Sequence, residues 1–425
     1  MNITLIIIFL GCLYFLAHVF ASLFNRTKIP DVLWLMIIGL CLGPVFHLLD
    51  PSTFGNLGQV FVAVTLVVLL FQSGLGISVQ AFLGAWARGL ALAMVNFLAT
   101  TVVVGIVTYF LLGLTPFNAI LIGATVGGTS SAIVVPILQQ LELRPESKAV
   151  LIFESALTDV LCIVIVLALL DVQTGGAKNP GILVGSIIAS FLVAIVLGIV
   201  GAILWSLFLA SIRTIQNSIF ATPAFVFILF GIAELLGFSG YIAALAFGIT
   251  MGNAEGFKKY FRKLKFGNGT VHPSTLNDTE KSFFSEMVFL LKTFFFVYIG
   301  VSIRLNDMVS IYIGLALTLI CFVLRVPVVN LSVSRHTSKR DASLMAVIVP
   351  KGLAAAALAS LPLQRGIAGG ETIQNVVFAV VLLSITLTSI LVWFVHKTPL
   401  GRFYQRLFPR FTEMAAGKAA VKEAA

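Results

Sequence analysis

Charge is what this chain has least of: 27 Lys and Arg and 17 Asp and Glu among 425 residues, 10% of the chain, against 59% hydrophobic residues. That balance excludes an ordinary soluble globular domain, which carries about a quarter charged residues. Histidine is scarcer still, at five, and only His18 falls well inside an apolar run. Catalysis or metal ligation built on imidazole therefore has little material. The four cysteines, Cys12, Cys41, Cys162 and Cys321, all lie in apolar runs, with no metal-ligand spacing and no disulfide framework in the loops. The net charge of +10 does not point to nucleic acid. Such binding needs a folded basic surface, and the longest polar stretch is only about 254–287.

Long apolar runs are what the chain has in abundance. Windows of about 20 residues predict spans near 3–23, 30–49, 57–76, 86–112, 116–140, 148–170, 180–210, 218–236, 240–253, 288–303, 309–333, 342–362 and 372–395. The chain thus reads as an all-α polytopic membrane protein of about 13 helices. The first run is read as a retained helix, since it has no charged n-region and no small-residue cleavage site. With the N-terminus outside, the inner loops collect Arg26, Lys28, Arg88, Arg144, Lys148, Arg213, the Lys258–Lys265 cluster, Lys281, Arg335, Lys339, Arg340 and the basic tail 401–425. The outer loops hold only Lys178, Arg304 and Arg365. Positive residues stay on the cytoplasmic side, so the C-terminus is expected inside the cell membrane. The Lys258–Lys265 cluster is also suited to anionic lipid headgroups.

Against this apolar background a few polar residues stand out. The sixth run contains Phe153-Glu154-Ser155-Ala156-Leu157-Thr158-Asp159. An ionisable group at membrane depth costs about 2.5–3.5 kcal/mol on insertion scales, so it usually has a partner or lines an ion path. At helical spacing Asp159 stands over Ser155, and Thr158 over Glu154. The two adjoining faces offer oxygen ligands of the kind hard cations accept. Arg325 is the deepest cation of the eleventh run and needs a carboxylate, with Glu154 and Asp159 both available.

Two runs carry helix breakers in corresponding halves of the chain. The fifth reads Gly127-Gly128-Thr129-Ser130-Ser131, with Pro136 beyond, and the twelfth reads Pro350-Lys351-Gly352. Backbone groups freed at that depth require protein or a water-filled cavity to satisfy them. Paired interruptions point to an inverted-repeat transporter with its site near the midplane. Lys351 is positioned to set its ammonium against half-helix C-terminal carbonyls. Glu234 reads as an interfacial residue, and Lys292, near Glu286, as an anchor that reaches the cytoplasmic interface.

In order and spacing these segments resemble the monovalent cation/proton antiporters, especially the NhaP-type sodium/proton exchangers. The resemblance is carried by Leu69-Leu70-Phe71-Gln72-Ser73-Gly74-Leu75, Gly128-Thr129-Ser130-Ser131-Ala132 and the Phe153–Asp159 segment. It continues through Phe294-Phe295-Phe296-Val297-Tyr298-Ile299-Gly300, Arg325 and Pro350-Lys351-Gly352-Leu353. It implies a homodimer in which a dimerisation part (about 1–76 and 218–303) holds still while a core (about 86–170 and 309–395) moves. It implies that Asp159 binds either an alkali cation or a proton, with Ser155, Thr129, Thr158 and Ser130 as supporting oxygens, and that Glu154 and Arg325 form a structural ion pair. No cofactor is implied.

Departures from the family pattern are specific. Thr158 precedes Asp159 where Asn-Asp or two carboxylates are usual, Thr129-Ser130 replaces Thr-Asp, and Gln72-Ser73 replaces a nearby carboxylate. The expected exchange is sodium for protons, with lithium or potassium as further cargo and pH homeostasis as its use. A potassium/proton antiporter or efflux system is the alternative. No nucleotide-binding domain is seen after residue 400, which disfavours the gated form. An intramembrane enzyme using Glu154 and Asp159, or a sodium symporter for an organic anion, fits less well.

Overall fold

The computed structural model describes residues 3–27, 29–50, 55–76, 79–174, 180–213, 218–253, 276–397 and 400–412. Lys28, Lys178, the Lys258–Lys265 cluster and residues 413–425 of the basic tail lie outside the described residues. Among those described, regular structure is helical: α1 Ile3–Thr27, α2 Asp31–Leu40 with a π-helical continuation Cys41–Val45, α3 Gly55–Gly76 and α4 Val79–Leu112. Next come α5 Pro116–Thr125, α6 Ser131–Gln140, α7 Pro145–Thr174, α8 Pro180–Ile212, α9 Ala221–Leu235 and α10 Gly240–Gly252. The chain continues with α11 Asp278–Ser302, α12 Met308–Ser332, α13 Lys339–Val347, α14 Leu353–Gln364, α15 Gly370–Lys397 and the short α16 Leu400–Gln405.

Each of the thirteen apolar runs corresponds to one of these helices or to a broken pair. Among the described residues six helices are long and apolar enough by themselves to cross a bilayer, and shorter apolar helices include α5, α6 and α14 of the two broken pairs; α13, the nine-residue partner of α14, opens on Lys339-Arg340-Asp341. The chain is a multi-pass membrane protein. The brief run at 240–253 is a true helix, α10, with Ser239 as its N-cap. Helix α11 starts ten residues before the apolar window at 288. A capping box fixes that start: Asn277 Oδ1 accepts from the Glu280 amide at 2.7 Å, and Glu280 Oε2 accepts from the Asn277 amide at 2.7 Å. Arg213, at the end of α8, donates through Nε to the same Glu280 at 3.0 Å, so the polar first turns are held although no hydropathy window sees them.

The helices pack in two groups. In one, α10 lies between α3 and α8, with α9 alongside, while α11 packs on α2 and reaches α3. Close approach of α2 and α11 is made by Gly39 and Gly300. A Cβ on Gly39 would fall 2.2 Å from the Val297 carbonyl oxygen, and one on Gly300 would fall 2.2 Å from that of Met36. The second group consists of α4 against α5, α7 and α12, then α15 against α12 and α14. Helix α8, which the sequence reading left unassigned, packs with the first group through α9 and α10 and meets α7 of the second. The chain after α15 folds back. Thr412 exchanges backbone hydrogen bonds with Thr337 and Lys339 at the start of α13, at 3.2 and 3.0 Å, and Phe408 and Phe411 are buried.

Candidate functional site

The two broken spans cross through their loops. In the first, α5 stops at Thr125 and α6 resumes at Ser131; in the second, α13 stops at Val347 and α14 resumes at Leu353. The Ser130 amide donates to the Pro350 carbonyl at 2.8 Å, which joins one loop directly to the other. Gly352 makes this approach possible: a Cβ there would lie 2.1 Å from Ser130 Oγ and 2.4 Å from Ser130 Cβ.

Several backbone groups freed by the first break find partners across the crossing, as burial away from water demands. The Gly127 carbonyl accepts from Asn96 Nδ2 at 3.3 Å, and the Gly128 carbonyl accepts from Lys351 Nζ at 2.7 Å. The Thr129 amide donates to Thr158 Oγ1 at 3.1 Å, and the Ser131 amide to Asp159 Oδ2 at 3.1 Å. Lys351 is 1% exposed, so its ammonium serves the Gly128 carbonyl, just beyond the C-terminal end of α5, rather than solvent. Its own amide donates to Ser384 Oγ at 3.0 Å.

Helix α7 supplies the carboxylates. Glu154 is sealed in, and Arg325 of α12 holds it through Nη1 at 2.7 Å and Nη2 at 2.6 Å, a fork geometry that fits carboxylate. Arg325 also donates through Nε to the Met345 carbonyl of α13 at 3.2 Å, tying α7, α12 and α13 together. Thr129 Oγ1 donates to Glu154 Oε1 at 3.4 Å and lies 3.4 Å from Thr158 Oγ1. Both Glu154 oxygens are thus held by arginine.

Asp159 differs. It is only partly buried, whereas Glu154, Ser155 and Thr158 are fully buried. Its Oδ2 accepts from Ser131 Oγ at 2.6 Å as well as from the Ser131 amide. Asp159 is thus the less buried carboxylate of the crossing, and its hydrogen bonds come from Ser131 rather than from an arginine. Ser155 stands one turn before it, yet the Ser155 hydroxyl donates to the Ile152 carbonyl of its own helix at 3.0 Å. Ser130 faces Gly352. The residues the structure gathers here therefore include Ser131, Asn96 and Ser384, which the sequence reading did not single out. Asn96 was open to detection as a lone amide in an apolar run; Ser131 and Ser384 carried no such signal.

Away from the crossing, Asp341 at the first turn of α13 accepts from Ser147 Oγ at 2.8 Å and from the Arg144 amide at 3.3 Å, so it clasps the start of α7. Lys292 ends on Asp31 Oδ2 at 2.8 Å, joining α11 to α2; it is an interhelical ion pair and not a free anchor. Glu234 is exposed and accepts from the Gly240 amide at 2.7 Å, capping α10. Among the described residues no group of three or more His, Cys, Asp or Glu could hold a metal ion.

Two crossed broken helices, with Asp159 beside a sealed ion pair, are the architecture found in secondary transporters. The family model described as "Sodium/hydrogen exchanger, transmembrane" matches residues 12–397, and the chain belongs to that family. It is similar to the K(+)/H(+) antiporter NhaP2 of Shewanella oneidensis, 23% identical over 373 residues, covering 85% of this chain and 61% of that one. It is also similar to the Na(+)/H(+) antiporter 1 of Methanocaldococcus jannaschii, 25% identical over 384 residues and covering 84% and 83% of the two chains. This chain thus spans about three fifths of the length of NhaP2. In fold it matches the structure of the sodium proton antiporter MjNhaP1 from Methanocaldococcus jannaschii at pH 8, with a TM-score of 0.70, 21% identity and coverage of 96% and 99%.

Proposed function

We propose that this chain is a secondary antiporter that exchanges an alkali cation, sodium foremost, for a proton at Asp159. The observation that carries the reading is the contrast between two carboxylates five residues apart on one helix: Glu154 is neutralised and sealed by Arg325, whereas Asp159 is less buried and takes its hydrogen bonds from Ser131 rather than from a cationic side chain. One carboxylate that takes either a proton or a cation couples the two fluxes. An empty charged site is costly to move through an apolar barrier, so the core crosses only when Asp159 is neutralised by one ligand or the other.

The moving body in this reading is the α4–α7 and α12–α15 group, and the α1–α3 and α8–α11 group is the stationary one through which a homodimer forms. Thr129, Thr158, Ser130 and Ser155 supply neutral oxygens near the carboxylate. The N-terminus lies outside and the C-terminus in the cytoplasm, and no step requires enzymatic chemistry.

Potassium in place of sodium is the second reading. It is favoured by the relatives named K(+)/H(+) antiporter and by Ser130 and Ser73, which leave the site less anionic. The deciding experiment is cation-induced dequenching of a pH-sensitive dye in proteoliposomes, run separately with sodium, lithium and potassium. Sodium and lithium responses with little from potassium match the first reading; a dominant potassium response selects the second. No response to any of the three rejects both.

A further inference from the structure

Helix α6 begins at the crossing without a side-chain cap of its own. Ser130, in the N-cap position, makes no capping hydrogen bond, and its hydroxyl faces Gly352 in the opposite loop. The first helical residue, Ser131, turns instead to α7: its amide and its hydroxyl both donate to a single oxygen, Asp159 Oδ2, at 3.1 and 2.6 Å. Asp159 therefore caps α6 from another helix, and the positive end of that helix stands where a cationic side chain would otherwise be. The neighbouring amides are committed elsewhere, Thr129 to Thr158 and Ser130 to Pro350, so Ser131 alone of the three reaches the carboxylate.

We propose that Ser131 is a positioning residue that sets cation affinity, because its hydroxyl donates to the Asp159 oxygen that a cation would take and so competes with the cation for it. This rests on the reading of Asp159 as the cation site. The amide stays in place throughout, since it belongs to the backbone of α6; only the hydroxyl proton can swing away, by rotation about the Cβ–Oγ bond. The hydroxyl is thus a built-in competitor. It stabilises the vacant carboxylate, and so it weakens cation binding and hastens cation release.

The consequence separates this role from a merely structural one. Removing the hydroxyl in Ser131→Ala takes away one hydrogen bond to a charged acceptor, worth about a tenfold change in affinity after exchange with water. The cation KM should fall about tenfold, and kcat should fall with it because release slows. A hydroxyl that served only packing would lower kcat and thermal stability without tightening KM. Ser131→Thr keeps the hydroxyl and should restore the wild-type KM. Ser131→Cys, a weaker donor, should fall between.

The experiment measures cation KM and kcat in proteoliposomes for the three variants, and cation affinity of the purified proteins by calorimetry. Tighter binding in Ser131→Ala with rescue by Ser131→Thr is the expected result. An unchanged or raised KM in a folded Ser131→Ala overturns the proposal, and if that variant does not fold, Ser131→Cys with wild-type KM overturns it equally. Asp159→Asn is assayed alongside: if it binds cation normally, the Asp159 reading itself has failed; if it does not, a failure at Ser131 belongs to this proposal alone.

Discussion

Arg325 and Glu154, 171 residues apart in the chain, meet in parallel hydrogen bonds of 2.7 and 2.6 Å with 0% and 1% of their side chains exposed. Two charges taken out of water need each other. Such a pair adds little net stability over an apolar pair of the same shape, but stranding one partner costs about 3–5 kcal/mol by soluble-protein precedent. Glu154→Gln and Arg325→Ala should each lower the melting temperature in detergent. The double variant should recover part of the loss, because no charge is then left alone. Strict additivity of the two losses would show that they do not act as partners.

Gly352 is the point where the two crossing loops touch, and its missing Cβ is what lets Ser130 stand there. Gly352→Ala forces the loops apart or displaces Ser130. By analogy with overpacked cores it should cost about 1–3 kcal/mol. It should also slow exchange more than a substitution of similar cost far from the crossing. Thermal melts paired with exchange rates in proteoliposomes check this; a variant with wild-type rate and stability would mean the crossing tolerates separation.

Much of the crossing was legible before any coordinates, and for a physical reason. In a chain with 10% charged residues, Glu154, Asp159, Arg325 and Lys351 stand out because each violates the apolar surroundings in which it sits. Pro350-Lys351-Gly352 likewise advertised a broken helix. Hydroxyls do not stand out in this way. Which of Ser130, Ser131 and Ser155 faces Asp159 depends on where α6 begins and on a rotamer choice, and neither is written in spacing. Ser155, stacked over the right position, satisfies itself on the Ile152 carbonyl, while Ser131 reaches across from another helix. Helix ends escaped for a related reason: the α11 start at Asp278 is set by the Asn277 and Glu280 cap, which apolar windows discard.

The exchange should be electroneutral. Glu154 is paired with Arg325 and Lys351 is engaged with the Gly128 carbonyl, which leaves one exchangeable carboxylate preceded by Thr158 rather than by a second acid. The loaded core then carries the same charge in both directions. A membrane potential, worth about 2.3 kcal/mol per charge per 100 mV, has nothing to act on over a full cycle. Cation-driven proton flux with and without a valinomycin clamp should give the same reversal point. A clamp-dependent reversal fitting two protons per cation would contradict the count and make Lys351 a proton carrier.

Competition of proton and cation for Asp159 is the claim on which the account stands, and it is read most directly from proton release on cation binding. Purified protein in weak buffer, titrated with sodium or potassium chloride near the pH of half-maximal exchange, should release protons in proportion to the cation bound, up to one per chain. Asp159→Asn should release none and bind no cation, while remaining folded, since its amide keeps the shape of the side chain without its charge. Cation binding that releases no protons from the wild type, or release that persists undiminished in Asp159→Asn, would contradict a shared site at this residue.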